Sequence, residues 1–409
     1  MTVRLDDQPW LTAPATRAVM AALEAAGGPG CARFVGGCVR NALIGAPVAD
    51  IDIATTLKPE ETDCAIRAAG LKAVPTGLAH GTVTAVSERQ PFEITTLRRD
   101  VSTDGRNATV AFTDDWAEDA ARRDFRLNAL YADGEGRVFD PTGEGVADAA
   151  AGRIVFVGDP GTRIREDYLR ILRFFRFFAR YGVGDPDAAA LSACGALAPG
   201  MTRLSAERVS KELMTLLAAP DPRVAMAAMA EAGVLAQILP EASTGTLFNA
   251  AVELSLDPVV RLMTLFPIDE RLVRDASSRL RFPNSTRDRL AAAARAGPDV
   301  SPAMSDAEVR AAVYRHGVRA VADALHRRWA ESPADDARAR RLLALAEGWK
   351  RPPMPVGGRE LARLGVEPGP ETGRLLKAFE DGWIADDFPS DGHAERLAAL
   401  VSPRFWTEI

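Results

Sequence analysis

The segment VGGCVRNALIGAPVADIDIAT, residues 35–55, ends in two aspartates, Asp50 and Asp52, that are spaced to bind a metal ion. In a strand, residues i and i+2 point to the same face, so these side chains would project together. Two carboxylates that close repel each other unless a cation lies between them. Mg²⁺ is commonly held by one or two carboxylates plus substrate phosphates. Glu93, in the alternating segment PFEITTLRR, is a candidate third ligand. A lone D-x-D pair, however, is also typical of a solvated strand end.

The glycines of the same segment favour the metal-binding interpretation. Gly36 and Gly37 end the predicted strand ARFV and precede a predicted short helix, CVRNALIG. Small residues there let a backbone approach a phosphate, and N–H groups at a helix N-terminus attract anions. Arg40 could add a charge-assisted contact to the same phosphates. A phosphate-binding turn and a carboxylate pair within about 20 residues indicate nucleotidyl transfer.

The elements that must position these residues change in character near residue 160. Before it, short alternating runs separated by Gly, Pro and Asp predict strands: CARFVGG, DIDIATT, GTVTAVSE, FEITTLRR, ATVAFT and GRVFDP. Helical segments such as TRAVMAALEAAG lie between them. After it, EDYLRILRFFRFFARYG, AERVSKELMTLLAA and DPRVAMAAMAEAGVLAQIL have the three- and four-residue apolar spacing of helices. The predicted fold class is α+β, with a mixed β-sheet and helices first and an all-α region after it.

Composition narrows the class of protein. The 409 residues are 47% hydrophobic and 26% charged, which is typical of a globular chain. We expect no transmembrane helix and no signal peptide, because long apolar runs and an apolar h-region are missing. The four cysteines lack metal-binding spacing and predict free thiols in a cytoplasmic protein.

The net charge of −6 weighs mildly against nucleic-acid binding, although a polyanion is bound by a local patch rather than by the whole surface. Three clusters of arginine occur, in residues 163–180, 271–289 and 327–341. For the two later clusters, RNA binding and a simple preference for arginine over lysine are equally good explanations.

Residues 36–52 resemble a known signature, G-G-x-V-R-D followed by D-x-D. It belongs to the nucleotidyltransferase superfamily that contains CCA-adding enzymes and bacterial poly(A) polymerases, here of the class II type. This chain has Asn41 where the family usually has Asp, a position that is not a metal ligand in the family. The resemblance implies that Asp50 and Asp52 bind two Mg²⁺ ions, and that Gly37 and Arg40 contact the nucleotide.

Two further segments resemble later motifs of the family. ARRDFRLNALYAD, residues 121–133, is similar to R-R-D-F-x-x-N-A, which implies that Arg123 and Asp124 hold the nucleotide's sugar and phosphates. A structural role for Asp124, as a helix cap, is compatible with this. DPTGEGVADAAAGRI, residues 140–154, resembles the family's hinge, with Gly143 and Asp148 as structural members.

The fourth motif, in REDYLRILRFFRF, suggests how a base is read. Asp167 and Arg170 are at i and i+3, so we expect them on one helical face, with Arg173 and Arg176 continuing the stripe and also binding nucleotide. An aspartate accepts hydrogen bonds and an arginine donates them. Such a pair can accept from the exocyclic amine of cytosine or adenine and donate to the adjacent ring nitrogen, as the resemblance implies. The alternative is an ordinary surface ion pair.

The remaining matches define the predicted domains. AERVSKELMTLLAA resembles a fifth motif, to whose Glu207, Arg208 and Glu212 we assign no chemistry. The Gly-Pro turn in GGRELARLGVEPGPETGRLLKAF either docks a phosphate or is an ordinary turn between helices. The resemblance implies a nucleotidyltransferase head at residues 1–158, a helical neck at 159–240, a helical body at 241–350 and a tRNA-binding tail at 351–409.

Within the family, VPTGLAHGTVTAV is similar to CCA-adding enzymes rather than to poly(A) polymerases, and RRDVSTDGRNATVAF is a predicted polar loop around Gly105. The four histidines, including His80, are isolated, so no phosphohydrolase domain is expected. The resemblance implies template-independent addition of CCA to tRNA from CTP and ATP, with contacts to the acceptor and T arm. No membrane and no obligatory protein partner are expected. The alternatives are a poly(A) polymerase, a partial CC- or A-adding enzyme, a non-catalytic RNA-binding protein and a small-molecule nucleotidyltransferase.

Overall fold

The computed structural model describes residues 3–5, 8–77, 81–104, 107–255 and 257–401 of the chain. The chain divides into two compact units, Met1–Ala242 and Ser243–Ile409. The first unit contains the strands of the described residues and the second is helical. The finer limits at residues 158, 240 and 350 stay predictions.

The strands of the first unit form a mixed sheet and a separate hairpin. They are β1 (Ala32–Val35), β2 (Asp52–Thr55), β3 (Lys72–Gly77), β4 (Thr82–Ser87), β5 (Gln90–Thr96), β6 (Arg98–Asp104), β7 (Asn107–Phe112), β8 (Tyr131–Ala132) and β9 (Val138–Phe139). Within the described residues, the sheet order is β3-β4-β5-β2-β1-β8-β9. β2 is parallel to β5, and the other neighbours are antiparallel. This arrangement brings β2, which begins at Asp52, to the middle of the sheet.

The six strands predicted from alternation are confirmed, but the sequence missed β3, β6 and β8. The prediction of a polar loop over residues 98–112 is wrong for most of that segment, because β6 and β7 pair as antiparallel strands with a register shift between Asp100 and Ser102. The polar residues of this segment gave no alternating pattern that would indicate a hairpin, because a strand pair outside the main sheet needs no alternating apolar face. Gly105 and His80 lie outside the described residues.

Helices of the first unit cover the sheet and continue beyond it. They are α1 (Pro9–Thr12), α2 (Pro14–Gly27), α3 (Gly37–Leu43), α4 (Pro59–Ala68), α5 (Trp116–Ala121), α6 (Gly145–Ala151), α7 (Pro160–Glu166), α8 (Leu169–Tyr181), α9 (Ala188–Leu197), α10 (Ala206–Leu217), α11 (Arg223–Glu231) and α12 (Val234–Ile238). α2 buries Val19 and Leu23 completely. Trp10 packs edge-on against Phe34 of β1, with ring centroids 4.9 Å apart.

The helix predicted over EDYLRILRFFRFFARYG is confirmed from Leu169 to Tyr181 as α8, but its first residues differ, because α7 ends at Glu166 and α8 begins at Leu169. Asp167 between them is extended, with φ −152° and ψ 106°. Its carboxylate accepts a hydrogen bond from the Leu169 N–H at 3.1 Å, as an aspartate does at a helix start. The apolar spacing continues through the break, so periodicity alone could not locate it.

A cluster of buried phenylalanines joins α8 to the segment after α5. The Phe125 ring lies 4.9 Å from that of Phe156 and 5.2 Å from that of Phe177, and Phe156 stacks on Phe174 at 5.9 Å. Phe125, Phe156 and Phe174 are completely buried. Because such interiors are close-packed, α8 is held in one position against the sheet domain.

The second unit contains the remaining helices of the described chain. They are α13 (Thr246–Leu254), α14 (Pro258–Met263), α15 (Glu270–Arg279), α16 (Asn284–Ala296), α17 (Asp306–His316), α18 (Val318–Glu331), α19 (Asp336–Gly348), α20 (Gly358–Arg363), α21 (Pro370–Ala385) and α22 (His393–Val401). One core includes Val309, Val321 and Leu342, and another forms around Phe379 and Trp383. Among the described residues, every helix is too short or too polar to span a bilayer.

Candidate active site

Three carboxylates gather at the start of β2. Asp52 is the first residue of the strand and lies in register with Glu93 of the parallel strand β5. Asp50 is exposed and precedes the strand, so the prediction that both aspartates belong to one strand is wrong in that detail. Register partners on neighbouring strands project from the same face of a sheet. Glu93 therefore lies beside Asp52, as a third metal ligand would.

The environment of Asp52 opposes its negative charge. Burial, and then repulsion from Glu93 and Asp50, raises the pKa of Asp52 to about 6, against a smaller opposing effect of Arg123. A divalent cation would remove this repulsion. Among the residues that the structure describes, no group of three or more His, Cys, Asp or Glu side chains is arranged to hold a metal ion. Metal binding by these carboxylates therefore stays a prediction.

The predicted phosphate-binding turn lies between β1 and α3. Gly36 has a φ of +71°, which L side chains rarely adopt, and its N–H donates to the Leu130 carbonyl at 3.1 Å. A Cβ on Gly36 would lie 3.7 Å from Nη1 of Arg123, and one on Gly37 would lie 3.8 Å from Nη2 of Arg40. Each glycine thus leaves open backbone beside a guanidinium. Two positive groups border the turn, as a triphosphate site requires.

Arg123 is held in place by Asp119 of α5. The Arg123 Nη2 donates to Asp119 Oδ2 at 2.9 Å, and Tyr131 donates its hydroxyl to the same oxygen at 2.7 Å. Arg122 donates to Asp119 Oδ1 at 2.8 Å. Burial opposes ionisation of Asp119, but Arg123 and Arg122 outweigh it and lower the pKa of this carboxyl to about 2. Asp119 therefore stays charged and orients Arg123 towards the turn.

Arg40 is buried, with 6% of its surface exposed. Its Nη1 donates to Asn128 Oδ1, its Nη2 donates to the Tyr181 hydroxyl at 2.8 Å, and both Nε and Nη2 donate to Asn41 Oδ1. The guanidinium also lies over the Tyr181 ring, 4.2 Å from its centroid. Arg40 thus joins α3 to the end of α8.

Asp124 occupies the centre of a buried polar network. Its Oδ1 accepts from the Phe125 N–H at 2.8 Å and from Asn128 Nδ2 at 3.0 Å. Its Oδ2 accepts from Nε of Arg173 at 2.8 Å and from Nη2 of the same residue. Burial opposes ionisation, but Arg173 and these hydrogen bonds outweigh it and lower the pKa of Asp124. Asp124 is therefore structural through an ion pair with Arg173 and not as the predicted helix cap, and a contact to nucleotide stays a prediction.

The stripe of arginines on α8 points at carboxylates. Arg176 donates from Nε to Glu212 Oε2 at 2.5 Å, and Nη1 of Arg173 lies 4.0 Å from the other oxygen of Glu212. Both arginines are therefore engaged in ion pairs, with Glu212 of α10 and with Asp124. Their predicted role in binding nucleotide stays a prediction. Glu212, to which the sequence assigned no chemistry, connects α8 to α10.

The expected pairing of Asp167 with Arg170 on one helical face is wrong, because Asp167 lies outside the helix. Asp167 Oδ2 instead accepts from Nη2 of Arg208 on α10 at 2.7 Å. Arg170 donates to Glu166 Oε2 at 2.6 Å and to the main-chain oxygens of Arg163 and Arg122, each at 3.0 Å. Asp167 and Arg208 remain partly exposed, at 29% and 31%. Asp167 is thus a fixed and accessible acceptor, while Arg170 fastens α8 to the segment after α5.

The hinge-like third motif is structural, as expected from its residues. Gly143 has a φ of +80° and donates its N–H to Asp140 Oδ1 at 3.1 Å. Asp148 is buried and accepts from Nε of Arg153 at 2.8 Å. These contacts close the turn before α6 and do not reach the carboxylates at β2.

Several residues of the site were missed by sequence reasoning. Asp119 is in α5, but Arg123 lies beyond the last residue of that helix, Ala121, so their spacing did not by itself indicate the contact. Arg208 and Glu212 belong to the fifth motif, but they and Tyr181 lie 36 to 141 residues from their partners, so no local spacing indicated these contacts.

Comparison with known families gives two matches along the chain. Residues 32–155 match the family model described as "Poly A polymerase head domain". Residues 185–245 match the model described as "Probable RNA and SrmB- binding site of polymerase A". The first match contains the carboxylates, the glycine turn and Asp124, and the second contains Arg208 and Glu212.

Two curated relatives align over most of their length. The mouse protein "CCA tRNA nucleotidyltransferase 1, mitochondrial" is 32% identical over 370 residues, which is 86% of this chain and 82% of the relative. The "CCA-adding enzyme" of Limosilactobacillus fermentum is 30% identical over 390 residues, 91% of this chain and 94% of the relative.

Among the solved structures that are similar over nearly the whole chain is that of the Bacillus stearothermophilus CCA-adding enzyme in complex with CTP. It covers 97% of this chain and 99% of its own, with a TM-score of 0.77 and 25% sequence identity.

The raised pKa of Asp52 predicts a pH-dependent gain in stability for Asp52→Asn. Because the folded-state pKa of about 6 exceeds the ordinary 3.8, Asp52 favours the folded state at low pH, and this contribution is lost as pH rises between those values. We expect Asp52→Asn to raise the free energy of unfolding by about 1–2 kcal/mol at pH 8 in EDTA. This range is smaller than the full shift implies, since solvent screens a partly exposed group. The gain should shrink as pH falls towards 4, as urea unfolding would show.

The exposed Glu231→Gln is the control for that measurement, because it also removes one negative charge but lies in α11, away from other carboxylates of the site. It should leave the unfolding free energy almost unchanged at each pH. A gain for Asp52→Asn that is the same at pH 4 and pH 8 would contradict the account of carboxylate repulsion.

Proposed function

This chain belongs to the family of CCA-adding tRNA nucleotidyltransferases, and we propose that it adds C, C and A to the 3′ end of tRNA. The reaction uses CTP and ATP, releases pyrophosphate and needs no nucleic-acid template. The observation that carries the proposal is the combination of two features. The chain aligns with CCA-adding relatives over more than four fifths of both partners, and it retains the carboxylates at the start of β2.

The alternatives are less well supported. The head-domain match does not separate CCA addition from poly(A) synthesis, since its description names a poly(A) polymerase. The full-length relatives at 30–32% identity are named for CCA addition. A non-catalytic RNA-binding protein would not need Asp52 in a position where burial and two other carboxylates oppose its charge. Partial addition of CC or of A alone would give a shorter product than complete CCA addition, so product length distinguishes them.

We propose that Asp50 and Asp52 hold two Mg²⁺ ions, with Glu93 as a further ligand. The donor set fits, because these are hard oxygen ligands whose mutual repulsion a dication relieves. When bound, the metal ions favour deprotonation of the tRNA 3′-hydroxyl and neutralise charge on the triphosphate. The residues of the chain supply the anionic oxygens and keep them on one face of the sheet.

The triphosphate is proposed to lie at the Gly36–Gly37 turn. There the open backbone of both glycines is bordered by Nη1 of Arg123 and Nη2 of Arg40. Asp119 holds Arg123 in this orientation through two hydrogen bonds to one carboxylate oxygen. Both cations are positioned before the substrate arrives, so little reorganisation is needed on binding.

Base selection is proposed to use Asp167 as the acceptor, and the donor role predicted for Arg170 would require it to leave its contacts with Glu166 and with the main-chain oxygens of Arg163 and Arg122. Hydrogen bonds from the Leu169 N–H and from Arg208 fix the Asp167 carboxylate. This group can accept from the amine of cytosine or adenine and would repel the carbonyl that uracil presents there. Arg173 and Arg176 are proposed to act mainly by keeping α8 in place through their carboxylate partners.

The two units are proposed to divide the work along the predicted domains. The head at residues 1–158 carries the chemistry, the neck at 159–240 reads the base, and the body and tail at 241–409 contact the acceptor and T arm of tRNA. The RNA-binding model matched at residues 185–245 supports an RNA contact that begins in the neck.

A cytoplasmic location is also a proposal. It is supported by four cysteines that are all free thiols, three of them buried. The mouse relative carries "mitochondrial" in its name, so the compartment needs its own test by fractionation.

CCA addition predicts a defined product. With a tRNA that ends at the discriminator base, plus CTP and ATP, the product should be three nucleotides longer and end in CCA, as sequencing gels would show. A product with CC alone, with A alone or with a long A tract identifies the corresponding alternative. Asp52→Ala should give no detectable extension while still shifting tRNA in a gel. Extension by that variant would contradict the assignment of the carboxylates.

Asp167→Ala predicts a loss of base selectivity rather than a loss of chemistry. Incorporation of UTP relative to CTP should rise at least about tenfold, because the acceptor that repels the uracil carbonyl is gone. Competition assays with both nucleotides measure this ratio directly. Glu207→Ala, on the same helix as Arg208, serves as a control that should keep the wild-type ratio. An unchanged ratio in Asp167→Ala would contradict base reading by Asp167.

A further inference from the structure

The guanidinium of Arg40 is buried without a carboxylate in hydrogen-bonding contact. Its acceptors are the side chains of Asn41, Asn128 and Tyr181, which are all neutral. Buried arginines are ordinarily paired with an acid, because desolvating a charge is unfavourable. Burial lowers the pKa of Arg40. The structure therefore keeps a positive charge there without a direct counter-ion.

The network around Arg40 does not neutralise it. Asp124, the carboxylate nearest to it through Asn128, is paired with Arg173, and Glu212 is paired with Arg176. Within the described residues of this network, each carboxylate has its own arginine, and Arg40 contributes the unbalanced charge. Its Nη2 is 3.8 Å from the position that a Cβ on Gly37 would occupy, so the charge borders the turn.

The uncompensated charge of Arg40 depends on the residue at position 41, which is Asn41. Its Oδ1 accepts from both Nε and Nη2 of Arg40, at 3.1 and 2.9 Å, so one neutral oxygen receives both hydrogen bonds, whereas a carboxylate could offer one oxygen to each donor. Its Nδ2 donates to the Pro47 carbonyl at 2.8 Å. An aspartate at position 41 would accept from Arg40 equally well, but it would cancel the charge and face the Pro47 oxygen without a donor.

We propose that Asn41 is a positioning residue that holds Arg40 while leaving its charge available to the nucleotide triphosphate. The neutral amide orients the guanidinium through two hydrogen bonds to its single side-chain oxygen. Arg40 then attracts phosphates at the Gly36–Gly37 turn across a short, poorly hydrated gap, where charges interact strongly. This inference rests on the proposed function, since it takes the triphosphate to bind at that turn.

The effect of Asn41 is on the phosphates and not on the base. CTP, ATP and pyrophosphate share a phosphate chain, so a loss of positive charge should weaken all three by a similar factor. A general distortion of the site would instead change the choice between cytosine, adenine and uracil, because that choice depends on the distant Asp167.

The test is calorimetric titration of the full chain with CTP, ATP and pyrophosphate in Mg²⁺, without tRNA. Asn41→Asp should raise the dissociation constant of each ligand about tenfold, with the selectivity for CTP over UTP unchanged. Asn41→Ala removes both hydrogen bonds but adds no charge, so its effect should stay below about threefold. Equal losses in the two variants would overturn the proposal, as would a loss for CTP and ATP without one for pyrophosphate.

A second variant covers the case in which Asn41→Asp does not fold. Arg40→Gln, with Asn41 intact, removes the charge itself and should weaken pyrophosphate binding by the same factor. Where both variants fold, adding Asn41→Asp to Arg40→Gln should cause no further loss, because no charge is left to cancel. Unchanged pyrophosphate binding in Arg40→Gln would overturn the inference. These titrations need no turnover, so they separate a failure of this inference from a failure to add CCA.

Discussion

The ion pair between Asp124 and Arg173 is the contact on which the site depends. Asp124 is 8% exposed, and Arg173 reaches it from α8, 49 residues later in the chain. Breaking a buried pair on one side leaves an uncompensated charge in the interior, which commonly costs about 3–5 kcal/mol. The guanidinium of Arg173 lies 5.4 Å from the ring centroid of Phe177, a member of the phenylalanine cluster, and the Arg173 side chain remains 31% exposed.

From this pair, hydrogen bonds extend in two directions. Through Asn128 and Arg40 they reach α3, which begins at the glycine turn. Along α8 they reach Asp167, whose carboxylate accepts a hydrogen bond from the N–H of Leu169, the first residue of that helix. The glycine turn proposed to bind the triphosphate and the acceptor proposed to read the base are therefore parts of one connected structure. A single nucleotide can contact both only if their separation is constant, and the network provides that constancy.

The positive side chains of α8 and the carboxylates at β2 differ in whether a partner of opposite charge neutralises them. Arg173 and Arg176 of α8 are neutralised by Asp124 and Glu212, so they contribute rigidity. The pKa of Asp52, at the start of β2, is raised by burial and by the negative charges of Glu93 and Asp50. Arg123 has only a minor opposing effect on it. An excess of negative charge at the strand and of positive charge at the turn is the arrangement that a metal-bound triphosphate requires.

Local chemistry could be predicted from the sequence, and long-range partners could not. The glycine turn, the carboxylates and the strand of Glu93 follow from spacing of one or two residues, and the structure places them side by side. The interpretation of Asp167 and Arg170 went wrong because i and i+3 spacing identifies a shared face only within a helix, and the chain breaks at Asp167. Arg208 becomes its partner through the packing of α10 on α8, which no local pattern encodes.

The most direct test of this account is a crystal structure of the protein with CTP and Mn²⁺, which gives an anomalous signal for the metal. We expect metal density at Asp52 with Glu93 nearby, phosphates at the Gly36–Gly37 turn, and the cytosine amine within hydrogen-bonding distance of Asp167. The Asp124–Arg173 pair should remain intact. Phosphates bound away from the turn, or a cytosine that does not reach Asp167, would contradict the claim that one nucleotide spans the two parts of the site.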